Sequence, residues 1–555
     1  MSESKYPKGL FFLVFTEFWE RFGYYLMIGI FTLYMITDPS KGGLGWDNAD
    51  ASDIFGTFIA LAYLTPFMGG LLADLKLGYR FSITLGGILM GTGYCMLAIP
   101  EKWAFYTALA TMVIGNGFFK PNISTLLGNL FNDERYKHKK DTGYNIFYMG
   151  INLGAFICNF IAAIMRNKIG WNGAFITAGI GMFLGVITFW IGMKHYKHVD
   201  IRKEPKPEDK PFLMQFVKVL LVGVGFAALG WFLPTAVWGS SENIYTIMGS
   251  RSTDAFFMFC IPVIYFYSSI YFKANTEERK PLGTMFTIFL IVILFWAIFK
   301  QNGTALTLYA EYYTDRESPE AITKITEELG FSENLKAENK EVNQLDEQFR
   351  KIKDEEGNPV KCSDYPAYFK NLEGSKIPAE GQSVNLVNTE IFQSVNPFFV
   401  VVLTPLLIAF FAFMRKRGKE PTTASKIAYG LLISALSTLV MVAAVYYTNN
   451  GMNKASAWWL IASYGVITVG ELCLSPMGLS MVSKLSPVRL TALMMGGWSL
   501  ATSIGNKLSS VLAKNWDKFD NKANYFWLNF ALLMFAFLIM LVLLKRLNRV
   551  FKEGR

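Results

Sequence analysis

Apolar runs of roughly 20 residues, separated by short polar breaks, recur along the whole chain, and a helix of that length is what a bilayer crossing needs. The runs start near Gly9, Ala51, Phe81, Trp103, Thr142, Trp171, Pro211, Ala255, Leu282, Glu390, Lys426, Ala457, Arg489 and Tyr525. They predict an all-α polytopic membrane protein with about fourteen transmembrane helices. One long segment, roughly 314–389, breaks the pattern and is rich in Glu, Lys, Asn and Gln. Within 317–356, Ile322, Ile325, Leu329, Leu335, Leu345, Phe349 and Ile352 are spaced as in one or two amphipathic helices on a solvated spacer.

Composition agrees with the pattern. Of 555 residues, 52% are hydrophobic and only 17% charged, against ~25% charged in a soluble domain. The formal net charge of +10 is explained by orientation. With both termini in the cytoplasm, the clusters Lys76/Arg80, Arg135–Lys140, Lys194–Lys210, Lys273–Lys280, Arg415–Lys419, Lys484/Arg489 and Lys545–Arg555 all fall on the cytoplasmic side. The charge therefore orients the chain in a lipid bilayer and points to no nucleic acid. The spans divide into a six-helix bundle over 1–200, a linker with an extra helix pair over 201–280, and a second six-helix bundle over 281–555 with 314–389 outside. The 5 cysteines and 3 histidines show no metal spacing and no disulfide framework. No nucleophile–base set is visible, so an enzyme is not expected. The opening Met-Ser-Glu-Ser-Lys lacks the basic region and cleavage site of a signal peptide, so the first helix is expected to be retained.

The candidate chemistry lies in charges at membrane depth, which are costly and usually functional. Glu17, Glu20 and Arg21 sit at i, i+3 and i+4 within the first apolar run and share one helix face. Lys120 lies within the fourth run, Lys300 in the middle of the run from Leu282, and Glu471 in the run from Ala457; Asn152 and Asn396 are polar positions within others. Tyr25, Tyr63, Tyr148, Trp296 and Trp498 accompany them. Charges of both signs in both halves suit a cavity that takes a zwitterion, with binding near the midplane and rocking of the halves.

These residues resemble the proton-coupled oligopeptide transporters of the major facilitator superfamily. Glu17 to Tyr25 matches the family's E-x-x-E-R-F-x-Y-Y motif, and Phe147 to Gly154 matches F-Y-x-x-I-N-x-G. Gly69 to Asp74, followed by Gly78 and Arg80, looks like the superfamily's loop motif; Gly470 to Pro476 and Gly496-Gly497-Trp498 also fit. The resemblance covers nearly the whole chain except the outside insertion, and the extra helix pair is like that of bacterial members. It implies import of di- and tripeptides driven by the inward proton gradient, without a cofactor, by a multi-pass inner-membrane protein working as a monomer. It implies that Glu17, Glu20 and Arg21 form a proton-coupling cluster with Lys120, and that Arg21 and Lys120 face the peptide carboxylate. Glu471 and Asn396 would receive the amine, and Tyr25, Tyr63, Tyr148, Asn152, Trp296, Ser475 and Trp498 would line pockets. The chain departs from the family at two positions: Ile28 stands where an arginine usually follows, seven residues after Arg21, and Lys300 stands where a glutamate usually precedes Gln301. Lys300 is thus expected to supply positive charge from the C-terminal half, to a substrate carboxylate or to Glu20. Transport of another small anion or metabolite, or a non-transporting sensor or scaffold working through the insertion, are the alternative functions.

Overall fold

The computed structural model describes residues 6–200, 209–239, 245–373, 376–486 and 490–553. The basic residues of 201–208, Arg489 and both chain ends lie outside these. Six helices form the N-terminal half: α1 (Gly9–Ile36), α2 (Asn48–Leu72), α3 (Tyr79–Met96), α4 (Lys102–Leu130), α5 (Lys140–Ile169) and α6 (Trp171–Gly192). A pair, α7 (Asp209–Trp238) and α8 (Arg251–Lys273), follows, and α8 docks on α2 and α15. The C-terminal half holds α9 (Thr276–Phe299), α10 (Ala305–Tyr312), α12 (Val395–Lys416), α13 (Thr423–Tyr447), α14 (Ala457–Leu485), α15 (Thr491–Lys514) and α16 (Lys522–Glu553), with α11 (Glu320–Leu329) in the insertion. Among the described residues, 10 helices are long and apolar enough to cross a membrane. The chain is a multi-pass helical membrane protein.

Starts of helices follow local chemistry. Asn275 caps α9 by accepting from the Glu278 amide at 2.8 Å, and Glu277 and Glu278 sit in its first turn. Ser250 caps α8 through the Thr253 amide at 3.2 Å. Helix crossings depend on glycine, since lipid gives no hydrophobic drive between helices and backbones must approach closely. A Cβ at Gly86 on α3 would lie 2.6 Å from Gly115 O on α4, and one at Gly430 on α13 would lie 2.8 Å from Gly470 O on α14. Each half thus uses the same device. Gly86→Val should abolish the monodisperse folded protein on size-exclusion chromatography. Gly225→Ala, where a Cβ meets nothing within 4 Å, should leave it intact.

Two expectations need correction. The C-terminal half's first transmembrane segment is not one helix: α9 ends at Phe299, Lys300–Gly303 form a 3-10 turn, and α10 resumes at Ala305. Lys300 is therefore within the span, as expected, but at a break between two helices. Asn302 and Gly303 are poor helix formers there. The insertion is not one or two helices on a spacer, and the protein is not purely α. Among the described residues α11 is the one α-helix of the insertion; it is followed by β2 (Ser332–Lys336), β3 (Lys340–Asn343), β4 (Lys361–Asp364) and β5 (Ser383–Val387), while β1 (Thr314–Asp315) pairs in parallel with β6 (Ala455–Ser456). β2 pairs antiparallel with β5, and β3 with β4. The reason is a period of two: Val384 and Leu386 turn inward onto Tyr368 and Phe369, while Ser383 is exposed.

The insertion is tied to both halves. Toward the N-terminal half, Lys361 pairs with Asp38 at 2.9 Å and Lys353 with Asp47 at 2.5 Å, and Lys351 Nζ donates to Gly45 O at 2.8 Å. Toward the C-terminal half, Arg350 Nη1 donates to Asp517 O at 3.0 Å and Asn371 Nδ2 to Gly451 O at 3.0 Å.

The halves themselves meet at this same end. Thr32 Oγ1 of α1 donates to Gly303 O at 2.6 Å, and Ser503 Oγ of α15 to Ala60 O of α2 at 2.6 Å. Lys507 Nζ of α15 pairs with Asp53 of α2 at 2.9 Å, and Arg166 of α5 with Glu390 at 3.1 Å. Asn159 Nδ2 donates to Ser394 Oγ at 3.1 Å. Among the residues whose side chains are described, no hydrogen bond or ion pair joins α4 or α5 to α14 or α15 at the opposite end.

Candidate functional site

On α1 the spacing of three and four residues brings Glu17, Glu20 and Arg21 together as the local geometry requires. Arg21 Nη2 donates to Glu20 Oε1 at 2.6 Å, its Nε donates to Glu20 Oε2, and Nε lies 3.3 Å from Glu17 Oε1. All three are buried, and Glu17 Oε2 has no hydrogen-bond partner among the described residues. The Arg21 guanidinium also lies 5.0 Å from the Tyr24 ring centre. One guanidinium thus serves two carboxylates.

Opposite α1, one aromatic ring collects the lysines. Tyr63 of α2 has Lys120 Nζ of α4 at 4.2 Å from its ring centre and Lys300 Nζ at 5.3 Å. Lys300 Nζ is also 3.5 Å from the Tyr63 hydroxyl and 5.6 Å from the Trp296 ring centre. An ammonium over an aromatic face is held by the ring quadrupole. Lys120 lies within electrostatic reach of Glu17, Glu20 and Arg21, and Lys300 within reach of Tyr25 and Glu471. Lys300 makes no ion pair with Glu20, whose two oxygens both face Arg21; that part of the expectation is not met.

The third group is on α12 and α14. Asn396 Nδ2 donates to Glu471 Oε2 at 3.2 Å and to Thr468 Oγ1 at 2.8 Å. Ser475, one turn beyond Glu471, leaves its hydroxyl without a partner among the described residues. On α5, Asn152 Nδ2 donates to Tyr148 O at 2.8 Å, and the Tyr148 ring is exposed within reach of Glu471. Tyr25 is half-buried between Arg21 and Lys300. Trp296 stays close to Lys300, but Trp498 does not join the charges: it is buried against Phe289, with ring centres 6.1 Å apart, and against Gly478. The charged and aromatic side chains singled out in the sequence thus include those that converge around Tyr63 and Glu471.

Sequence reasoning missed a second set of buried charges. Asp53 receives Lys507 and also accepts from Ser250 Oγ at 2.8 Å, Ser252 Oγ at 2.5 Å and Thr253 Oγ1 at 3.0 Å. It thereby ties α2, α8 and α15 together. Lys507 is fully buried. The rule that flagged Lys120 would have flagged Lys507 inside α15, whereas Arg166 sits in the last turn of α5 and Glu390 in the first turn of the 3-10 segment before α12, where a charge is not an anomaly. Among the described residues no group of His, Cys, Asp and Glu could hold a metal ion.

Comparison with known proteins agrees with this arrangement. The sequence model of the POT family matches residues 80–320 and 381–528, and the gap between the two stretches falls on the insertion. The chain is 29% identical over 514 residues to a protein of Lactococcus lactis subsp. lactis (strain IL1403) named a di-/tripeptide transporter, covering 91% of this chain and 88% of the relative. It is 29% identical over 517 residues to an uncharacterized transporter, YclF, of Bacillus subtilis (strain 168), covering 92% and 89%. Among solved structures, the crystal structure of the peptide transporter POT in complex with sulfate superposes with a TM-score of 0.74 at 28% identity, covering 99% of this chain and 97% of that one. With a family match over well more than half its length, and with charged side chains from both halves gathered between them, the chain belongs to the POT family.

Proposed function

We propose that the protein imports di- and tripeptides by symport with protons, alternating access between two six-helix bundles. The observation that carries this reading is the meeting of Lys120 and Lys300, from opposite halves, on Tyr63, with Glu471 across from them. The L. lactis relative's name supports the substrate class. A peptide zwitterion would set its carboxylate toward Arg21, Lys120 and Lys300 and its amine toward Glu471 and Asn396. Tyr25, Tyr148, Asn152, Trp296 and Ser475 would hold its backbone and side chains. Glu17 is the carboxyl best suited to carry the proton, since Arg21 satisfies Glu20 twice and leaves one Glu17 oxygen unpartnered.

In this reading fourteen helices span the inner membrane, both termini are cytoplasmic, 201–280 links the bundles, and the protein works as a monomer with no cofactor beyond the proton gradient. The end sealed by Asp53–Lys507 and Arg166–Glu390 then faces outward, and the structure is the inward-facing state. Proteoliposomes should take up labelled Ala-Ala severalfold faster under an imposed inward proton gradient, and a protonophore should remove the stimulation. Equal uptake with and without the gradient would overturn proton coupling. Lys300→Gln should lower gradient-driven Ala-Ala uptake by roughly tenfold or more, the scale of one charged hydrogen bond, at normal protein level; unchanged uptake would remove Lys300 from the site.

A further inference from the structure

We infer that α11 is a membrane-surface helix: its Ile322, Ile325 and Leu329 side chains lie in the bilayer leaflet on the insertion's side, where headgroups meet acyl chains. Nearly all of α11 falls in the gap of the family match, so this contact belongs to the chain's own addition. It holds whatever substrate is carried.

The protein leaves this stripe bare. Ile322, Ile325 and Leu329 stand at i, i+3 and i+7, so they share one face, and they are 42, 55 and 48% exposed. Beside them on the helix, Thr326 turns inward to meet Ser318 Oγ at 3.0 Å, and Gly330 is buried. Glu320, Lys324 and Glu327 are exposed on the side away from the stripe. Three large apolar side chains in one exposed row mark a contact surface. The row is wholly aliphatic, without the Trp, Tyr or Arg anchors on which protein interfaces depend.

Contacts with α5 set the depth of the helix. Arg166, Asn167 and Lys168 end the apolar part of that span, and Phe160 and Ile164 precede them inside it. The end of α11 rests on this edge. A Cβ at Gly330 would lie 3.6 Å from Lys168 Cε and 3.7 Å from Ile164 Cα, and Asn167 Nδ2 donates to Gly330 O at 3.1 Å. Phe331, the next residue, reaches deeper, with its ring centre 5.1 Å from that of Phe160. At 1.5 Å per residue, Phe160 is about 9 Å inside Arg166 along α5. The aromatic row continues through Phe156 to Phe398 of α12, with centres 5.5 and 5.9 Å apart. Phe398, Val401, Val402 and Leu406 are exposed on a span that crosses the membrane, so this row leads to a surface that faces lipid. An amphipathic helix at this level sinks its apolar face about 5–10 Å into the boundary of headgroups and acyl chains. Lipid thereby holds the insertion together with the two halves.

The test uses the full-length wild-type protein in phosphatidylcholine vesicles that contain a phosphatidylcholine with a diazirine near the carbonyl end of one acyl chain. Illumination followed by peptide mass spectrometry should find lipid adducts on the α11 peptide as well as on α12. The triple variant Ile322→Asn/Ile325→Asn/Leu329→Asn should lose the α11 adducts and keep those on α12. A wild type with α12 labelled and α11 bare would overturn the inference, whether a second copy of the chain or water then covers the stripe. A triple variant that still collects α11 adducts would overturn it as well, since the three side chains would not be making the contact.

Discussion

Replacing Lys507 by glutamine is expected to open the end of the protein that carries the insertion. Lys507 is fully buried and pairs with Asp53 at 2.9 Å across the two halves. Removing one member of a buried pair leaves the other charge uncompensated, which costs about 3 kcal/mol or more. That cost falls on the sealed state, since separation of α2 from α15 would let water reach Asp53. A difference of about 3 kcal/mol moves a two-state equilibrium by roughly a hundredfold. Distances between spin labels in the α1–α2 and α15–α16 connections should therefore lengthen or become bimodal in Lys507→Gln. The double variant Asp53→Asn/Lys507→Gln should return them toward the wild-type value, because it leaves no unpaired charge. A single variant whose distances match the wild type would show that this pair does not hold the seal.

The second large effect is expected at Glu471. Its Oε2 accepts from Asn396 at 3.2 Å, and it faces Lys300 across the space between the halves. Glutamine at this position keeps the shape and the hydrogen bond but removes the charge that, in the proposed function, receives the peptide amine. A charged hydrogen bond of this kind contributes about 1.5–3 kcal/mol, so Glu471→Gln should reduce Ala-Ala uptake by roughly one to two orders of magnitude. The same argument predicts that N-acetyl-Ala-Ala competes poorly with Ala-Ala in the wild type and no worse than Ala-Ala in Glu471→Gln. If acetylation changed competition equally in both proteins, the amine would have to be received elsewhere.

What the sequence made legible was whatever depends on short-range geometry. The first helix, read as the apolar run from Gly9, is α1, and the Glu17–Glu20–Arg21 face follows from its 3.6-residue period. Lys120 and Glu471 stood out because a charge in an apolar run has few explanations. Other features required distance or context. Lys507 and Asp53 are 454 residues apart, so no local pattern joins them, although each alone is an anomaly. That Trp498 packs on Phe289 and against Gly478 is a tertiary contact that no local pattern prescribes. The break after Lys300 was not legible because hydropathy averages across Gln301-Asn302-Gly303. The insertion was misread because its spaced apolar residues mimic a helical stripe, while the alternation that builds β5 lies further on, at Ser383–Val387.

The insertion carries a consequence for the speed of the cycle. Its hooks on the N-terminal half, Lys361–Asp38 and Lys353–Asp47, are partly exposed ion pairs, each contributing only about 0–1 kcal/mol on its own. The segment that bears them is covalently anchored in the C-terminal half, so a released hook does not diffuse away. It meets its partner again at the high effective concentration of a short tether. Weak contacts of this kind hold as a multivalent clasp: none is hard to break, yet each helps the others reform. Re-closure of this end after each opening is therefore favoured by valence and not by the strength of any one bond, and added salt, which screens exposed charges, acts on it as a brake.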